Sequence, residues 1–348
     1  MPSNFILFIL PCNLAVNQNN TFAMNKEILI SVDHVSRYYG DNCAVNDVSF
    51  SVHRGEVLGF LGPNGAGKST AMQMICGILS PSAGKITVAD YDMLDSPKAA
   101  KQNIGFLPEQ PPLYQDLNVD EYLCYAARLR GIKKAEIIKA VAYSKQRCGL
   151  EETGKRLIKN LSNGFQQRVG IAQAIIHSPA VVILDEPTSG LDPNQILEIR
   201  ELISELGTDH SVILSTHILP EVQSVCDRVL IINQGKLVLD ESLDNLQQDD
   251  QITPLKIALR QPPPLETLGE IEGVVNIEQT GNHHFKIYCE SGIETINRIT
   301  KLAVTSEWEL YEMIPEQDCL EETFILLTRG ESRLLSDESP DDTGEATE

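Results

Sequence analysis

Aromatic residues are scarce in this chain: they make up 5% of 348 residues, and Trp308 is the single tryptophan. Positive charge is scarce too. Lys and Arg number 28 against 49 Asp and Glu, a formal net charge of −21. A general nucleic-acid binder presents a basic face, so the balance argues against that class without excluding a local basic groove. No stretch approaches the ~20 apolar residues that a membrane-spanning helix needs. The short apolar run Phe5 to Leu10 lacks a preceding basic segment and is broken by Pro11, which makes a poor signal peptide. The cysteines (Cys12, Cys43, Cys76, Cys124, Cys148, Cys226, Cys289 and Cys319) form no C-x-x-C pair, and no His stands at metal-ligand spacing. They read as reduced thiols of a cytosolic protein. There is no internal repeat.

What is present suffices for one large and one small domain, with 42% hydrophobic residues to fill a core. Residues 1–25 read as a dispensable leader, and Met24, opening "MNKEILISVDHV", as the true initiator. Over 26–245, short apolar strands alternate with helical runs. "ILISV", "DVSFSV" and "EVLGFLG" read as strands, and the run after Gly67 as a helix. "VVILDE" and "SVILSTH" are continuous aliphatic runs of the kind found in parallel strands covered on both faces. A mostly helical insert occupies about 110–178. The expected class is therefore α/β: a sandwiched core with a helical subdomain. Composition then shifts. Residues 252–329 read as a small α+β domain, with strands "PLKIALR", "VVNIEQ", "HFKIYCE" and "EWELYEMI", a helix "SGIETINRITKLAV" and a Pro-rich loop "QPPPLE". A last helix, "CLEETFILLTR", places Leu320, Phe324 and Leu327 on one stripe. Residues 330–348 form an acidic tail without aromatics, expected to be disordered.

The chemistry concentrates in a few segments. "GPNGAGKST" (Gly62, Pro63, Asn64, Gly65, Ala66, Gly67, Lys68, Ser69, Thr70) follows a strand and opens a helix, and fits the phosphate-binding loop G-x-x-x-x-G-K-[ST]. Its glycines let N–H groups point inward around phosphates. Lys68 would reach the β- and γ-phosphates, and the Ser69 hydroxyl would ligate Mg²⁺. "VVILDEPTSGLD" brings Asp185 to the carboxyl edge of the sheet beside that loop, to hold Mg²⁺ directly or through water. Glu186 follows as a candidate general base or water-positioning group, a role worth roughly 10²–10⁴ in rate. The plainer alternative is that Asp185 and Glu186 cap the next helix. His217, ending "VILSTH", should emerge at the same edge, where open α/β sheets bind ligands, and contact the γ-phosphate. In "VSRYYG", one of Tyr38 and Tyr39 could stack on adenine, as aromatic side chains stack on bases elsewhere. A second anion-ready helix start lies in "NLSNGFQQRVGIAQA", Asn160 to Ala174.

Taken together and in this order, the motifs over about Ile28 to Asp240 resemble the ATP-binding cassette ATPases, the nucleotide-binding subunits of ABC transporters. Tyr39 matches the adenine-stacking position, "GPNGAGKST" is similar to Walker A, "VVILDEP" to Walker B, "SGLD" to the D-loop and "STH" to the switch histidine. "LSNGFQQR" is similar to the signature motif that lies between the Walker motifs, and "IGFLPEQPPLY" stands where the family has its Q-loop. Two positions depart. The signature usually reads Leu-Ser-Gly-Gly-Gln, whereas here Asn163 and Phe165 replace a Gly and the Gln. Asn tolerates left-handed backbone, so the turn is expected to survive. The Q-loop Gln is replaced by Glu109, with Gln110 next. Either could contact Mg²⁺, and Glu109 adds negative charge near the phosphates.

The resemblance implies a P-loop cassette with a RecA-like core, an antiparallel β subdomain and a helical subdomain, followed by the small α+β domain. It implies a homodimer, or a pair with a second cassette subunit, sandwiching two ATP molecules. Ser162, Asn163, Gly164 and Asp192 would act on the nucleotide of the other subunit. With no spanning segment, a separate permease subunit is required, which places the chain on the cytoplasmic face of the inner membrane. The helical subdomain, with "FLPEQPPLYQDLNVDEYL", would form the groove that receives it. "LPE-x-PPLY" and the C-terminal domain are similar to the ABC-2 export branch, gliding-motility ATPases included. The alternative is a soluble ABC ATPase acting on ribosomes or DNA. Those carry two cassettes or long coiled-coil inserts, which this chain does not. A P-loop kinase or GTPase is disfavoured by the signature motif and by the lack of N-K-x-D.

Overall fold

The structure is a computed structural model, which describes residues 27–248, 252–290, 292–315 and 324. The expected leader (1–25) and acidic tail (330–348) lie outside the described residues, as does all of the expected last helix except Phe324.

Strands β1 (Ile28–Tyr39) and β2 (Asn42–His53) form a hairpin whose tight turn has Gly40 at φ +59°. β3 (Val57–Leu61) follows and is buried along its whole length. It feeds helix α1 (Lys68–Ile75). Next come β4 (Ala83–Val88), β5 (Tyr91–Asp92), α2 (Pro97–Gln102) and β6 (Ile104–Leu107). The helical insert holds α3 (Val119–Leu129), α4 (Ile137–Arg147) and α5 (Asn163–Ile175). The core then resumes with β7 (Val181–Asp185), α6 (Pro193–Gly207), β8 (Ser211–Thr216), α7 (Leu219–Val225), β9 (Arg228–Asn233), β10 (Lys236–Ser242) and α8 (Leu243–Gln248).

Two sheets result. An antiparallel one has the order β2-β1-β4-β5, and a six-stranded one the order β10-β9-β3-β8-β7-β6. The larger sheet is parallel except for its edge strand β10. Its alternating residues divide between two cores, as a period of two requires. Val181 and Ile183 of β7 face α1 and the antiparallel sheet, with Met72, Met74 and Ile75. Val182 and Leu184 face the helical insert and α6, with Leu123, Ile171 and Ile203. Helix starts follow local chemistry. Asn118 and Glu121 make a reciprocal capping box on α3, and Asp192 caps α6 with Pro193 in its first turn. This cap belongs to Asp192, so Asp185 and Glu186 are not the helix cap.

The C-terminal unit contains β11 (Ile252–Leu259), α9 (Leu265–Gly269), β12 (Val274–Gln279), β13 (His284–Glu290), α10 (Gly292–Thr305) and β14 (Leu310–Pro315). Its strands run antiparallel in the order β12-β13-β11-β14. One face, with Leu255, Ile257, Phe285 and Ile287, packs on Ile299 and Ala303 of α10 and on Leu268. The Pro-rich loop is shorter than its sequence suggests: Pro264 stands before the first turn of α9, which takes up Leu265 and Glu266. Phe324 packs against the cassette cluster of Leu61, Leu219, Val222 and Leu243.

Candidate active site

The carboxyl ends of β3, β7 and β8 converge on one edge, because the three strands are parallel neighbours. The loop after β3 curls there into the start of α1. Gly67 closes it at φ +107°, and a Cβ would lie 2.4 Å from the Ala44 carbonyl oxygen. Only glycine meets both conditions. Gly62, Pro63 and Ala66 form the underside of the loop. The Lys68 ammonium donates to the Gly62 and Pro63 carbonyls at 2.8 and 3.3 Å, while the Ala66 N–H donates to Pro63 O. Lys68 is buried, and its Nζ lies 3.4 Å from Glu186 Oε1.

Asp185 ends β7. Its carboxylate accepts the Ser215 hydroxyl at 2.7 Å and a hydrogen bond from Ser69. Burial pushes its pKa up and the neighbouring Glu186 charge adds to this, while the two hydroxyls and Lys68 oppose it. Glu186 sits at φ +47°, a region that non-glycine residues occupy only when their surroundings hold them there. Its N–H donates to Ser215 O at 2.8 Å, and its Oε2 lies 2.9 Å from His217 Nδ1. A carboxylate, an ammonium and an imidazole therefore meet across the ends of three elements.

These groups line a cleft of about 430 Å³. Of the residues expected from sequence, Asn64, Gly65, Gly67, Lys68, Ser69, Thr70, Glu109, Glu186 and His217 line it. Ala44 and Ser189 line it too; Ser189 opens the "SGLD" run, whereas Ala44 belongs to no motif. Asp185 lies behind Ser69, on a second cleft of about 540 Å³ shared with Gln110, Arg130, Gln73 and Gln173. Glu109 and Ser69 line both clefts, whereas Gln110 lines only the second. Ser215, a hydroxyl in an otherwise aliphatic run, supports Asp185 without being among the expected site residues.

The remaining expected residues lie elsewhere. Tyr39 is 46% exposed and does not line the cleft. The Arg37 guanidinium stands 4.8 Å from its ring centroid and donates to Ser80 O at 2.9 Å. Tyr38 is 48% exposed. None of Ser162, Asn163, Gly164 and Asp192 lines the cleft of its own chain. Ser162 caps α5, its hydroxyl accepting from Phe165 N–H at 3.4 Å. The turn at Asn163 survives as expected, without drawing on the left-handed backbone that Asn tolerates: Asn163 is not among the positive-φ positions and begins α5 as an ordinary helical residue. The turn is made by the extended Ser162 cap instead, so no special backbone is needed at 163. Gly164 is buried, and a Cβ there would lie 2.8 Å from Gln195 Cδ on α6. Asp192 accepts from Asn194 and Gln195 N–H groups at 3.1 and 3.0 Å.

The family model described as ABC transporter matches residues 45–189. The bacitracin transport ATP-binding protein BcrA of Bacillus licheniformis is 31% identical over 311 residues, which is 87% of this chain and 98% of that protein. The chain belongs to the ABC transporter ATP-binding proteins. Among solved structures, cbiO1 of Clostridium perfringens, described as part of an ABC transporter complex, superposes with a TM-score of 0.59 at 30% identity over 64% of this chain and 91% of that one. A dimeric ATP-binding cassette in a post-hydrolysis state with ADP and Pi shares the fold, with a TM-score of 0.56 at 24% identity over 62% and 99% of the two chains. This ABC protein is thus an ATP-binding ATPase subunit of a transporter. No helix among the described residues is long and apolar enough to cross a membrane.

Proposed function

We propose that the chain energises an ABC-2-type membrane exporter by ATP-driven closure of a cassette dimer. The observation that carries this reading is the separation of the two phosphate-binding helix starts. The loop Gly62–Thr70 lines a cleft that Ser162, Asn163 and Gly164 of the same chain do not reach. A second cassette can supply them, so that each ATP lies between one chain's P-loop and the other's signature helix. The interface is then two-fold and self-complementary, and ATP shifts the population to the closed form through contacts made only there. The dimeric solved relative supports this arrangement.

Within each site, Lys68 would hold the β- and γ-phosphates. Glu186 would orient or deprotonate the attacking water, with His217 fixing its carboxylate and facing the γ-phosphate. Tyr39, its other face covered by Arg37, would carry the adenine. The residues present fit Mg²⁺: Ser69 and Asp185 are adjacent hard oxygen donors, and Glu109 adds a carboxylate at the rim. Bound there, the cation would neutralise developing phosphate charge. The second cleft, between the core and the helical insert, would receive a permease segment. Tyr114, Tyr125 and Leu129 are exposed in the helical insert and would add apolar contacts for such a segment. The bacitracin transport relative supports a transport role for the assembly. We read the domains as a cassette of 26–245 and a C-terminal unit of 252–329.

Glu186→Gln tests the core of this reading. The variant should bind ATP, lose at least a hundredfold in hydrolysis and elute as a dimer when ATP is present. An active variant that stays monomeric with ATP would overturn it.

A further inference from the structure

Glu221 is 1% exposed and lies on α7, four residues after His217. Burying a carboxylate costs several kcal/mol unless bonds and charge offset it. Here Oε1 accepts the Thr188 hydroxyl, Oε2 accepts the Thr216 hydroxyl at 2.7 Å, and Arg200 Nη2 of α6 lies 4.0 Å away. The direction of these bonds is determined. A carboxylate only accepts, and Thr216 Oγ1 itself accepts the Ile218 N–H at 3.1 Å, so its proton turns to Glu221. Thr188 stands two residues after Glu186, and Thr216 one residue before His217. One buried carboxylate therefore ties together the two segments whose side chains meet 2.9 Å apart on the cleft side.

The sheet itself does not hold these segments together past the strand ends. The β7–β8 ladder stops at the Asp185–Ser215 pair, and the Glu186 N–H to Ser215 O bond is its last rung. Past it the two chains diverge, one into the loop leading to α6 and the other into α7. Glu186 stands there in a left-handed backbone that the surroundings must hold.

We infer that Glu221 is a positioning residue for hydrolysis: by clamping Thr188 and Thr216 it fixes the Glu186–His217 pair in register with the γ-phosphate, and through Arg200 it ties that register to α6. The inference rests on the proposed roles of Glu186 and His217. It assigns Glu221 no contact with ATP, so its loss should act on the chemical step and not on binding. An ångström of misplacement can cost on the order of a hundredfold in rate.

The test compares Glu221→Gln, Thr188→Val and Thr216→Val with the unsubstituted protein, measuring kcat and KM for ATP and ADP affinity by calorimetry. Gln keeps the shape but cannot accept both hydroxyls as the carboxylate does. The expected result is a fall in kcat of about tenfold or more for Glu221→Gln, with KM and ADP affinity within about twofold. Each threonine variant should lower kcat at constant KM, and adding Glu221→Gln to the Thr188→Val, Thr216→Val double variant should cost little more, since the clamp is already lost. Unchanged kcat, a rise in KM that accounts for the loss, or full additivity would each overturn the inference. If Glu221→Gln does not fold, the two threonine variants decide by the same criteria. Glu186→Gln, run in parallel, separates the failures. If it abolishes hydrolysis while the clamp variants are normal, only the clamp is wrong. If it hydrolyses normally, the underlying reading is wrong.

Discussion

His177 shows how a single residue ties this fold to pH. Its Nε2 lies 3.1 Å from Ile104 O, its Nδ1 is buried without a partner, and burial, followed by the charge of Arg130, pulls its pKa from 6.5 down to about 4. The unfolded chain takes up a proton near pH 6.5 that the folded chain refuses until about pH 4. The stabilising neutral state is thus fully effective above 6.5 and its contribution is lost as pH falls through that window, by about 3 kcal/mol at the lower end. His177→Gln keeps a donor for Ile104 and removes the titration. Its urea midpoint should decline less steeply between pH 6.5 and 4 than that of the unsubstituted protein. Parallel declines would show that His177 does not govern this window. Asn163 yields a second expectation at this scale. Because its backbone is ordinary helix, the usual family Gly is not needed there. Asn163→Gly should keep ATPase activity within about threefold, with stability lower by about 0.5–1 kcal/mol from added chain entropy. A tenfold change in kcat would mean that the Asn side chain takes part in the site.

At the scale of elements, the position of the signature helix α5 depends on close backbone approach. A Cβ on Gly105 of β6 would lie 2.3 Å from the Ala174 carbonyl oxygen at the end of α5. The obstacle is backbone, which cannot rotate away as a side chain can. Gly105→Ala should therefore cost about 1–3 kcal/mol through overpacking, seen as a Tm several degrees lower. An unchanged Tm would mean that β6 and α5 separate at no cost. The loss should also reach function, since α5 carries Ser162 at its other end.

For the whole molecule, the decisive prediction concerns complementation between chains. Lys68→Ala removes one half of each site and Ser162→Arg the other. Each variant alone should be inactive. In a mixed dimer one site carries both lesions and the other carries none. Random pairing makes half of the dimers mixed, each with one intact site of two, so an equimolar mixture should recover about a quarter of full activity. A mixture as inactive as its parts would argue that Ser162 serves its own chain or none. The charge of −21 bears on this scale as well, because self-repulsion opposes close association and added salt should favour the dimer.

The division between sequence and tertiary structure follows distance along the chain. The P-loop, the caps at Asn118, Ser162 and Asp192, and the aliphatic strands are each specified by contiguous residues, because turn geometry, first-turn hydrogen bonds and strand periodicity are local. They carried the fold class and the elements bearing Lys68, Asp185, Glu186 and His217. The packing of parallel strands decided the rest. It set Glu186 against His217 across 31 positions, behind them closed Thr188 and Thr216 on Glu221, and left Ser162 away from the cleft of its own chain. No periodicity encodes which buried carboxylate meets which hydroxyl, since that is chosen by how two diverging segments leave a shared sheet edge. The turn expected to survive at Asn163 is kept, but by packing and a cap rather than by a left-handed residue. A family pattern of Gly suggested a backbone requirement, while the packing of Gly164 on Gln195 and the extended cap at Ser162 supplied the turn without it.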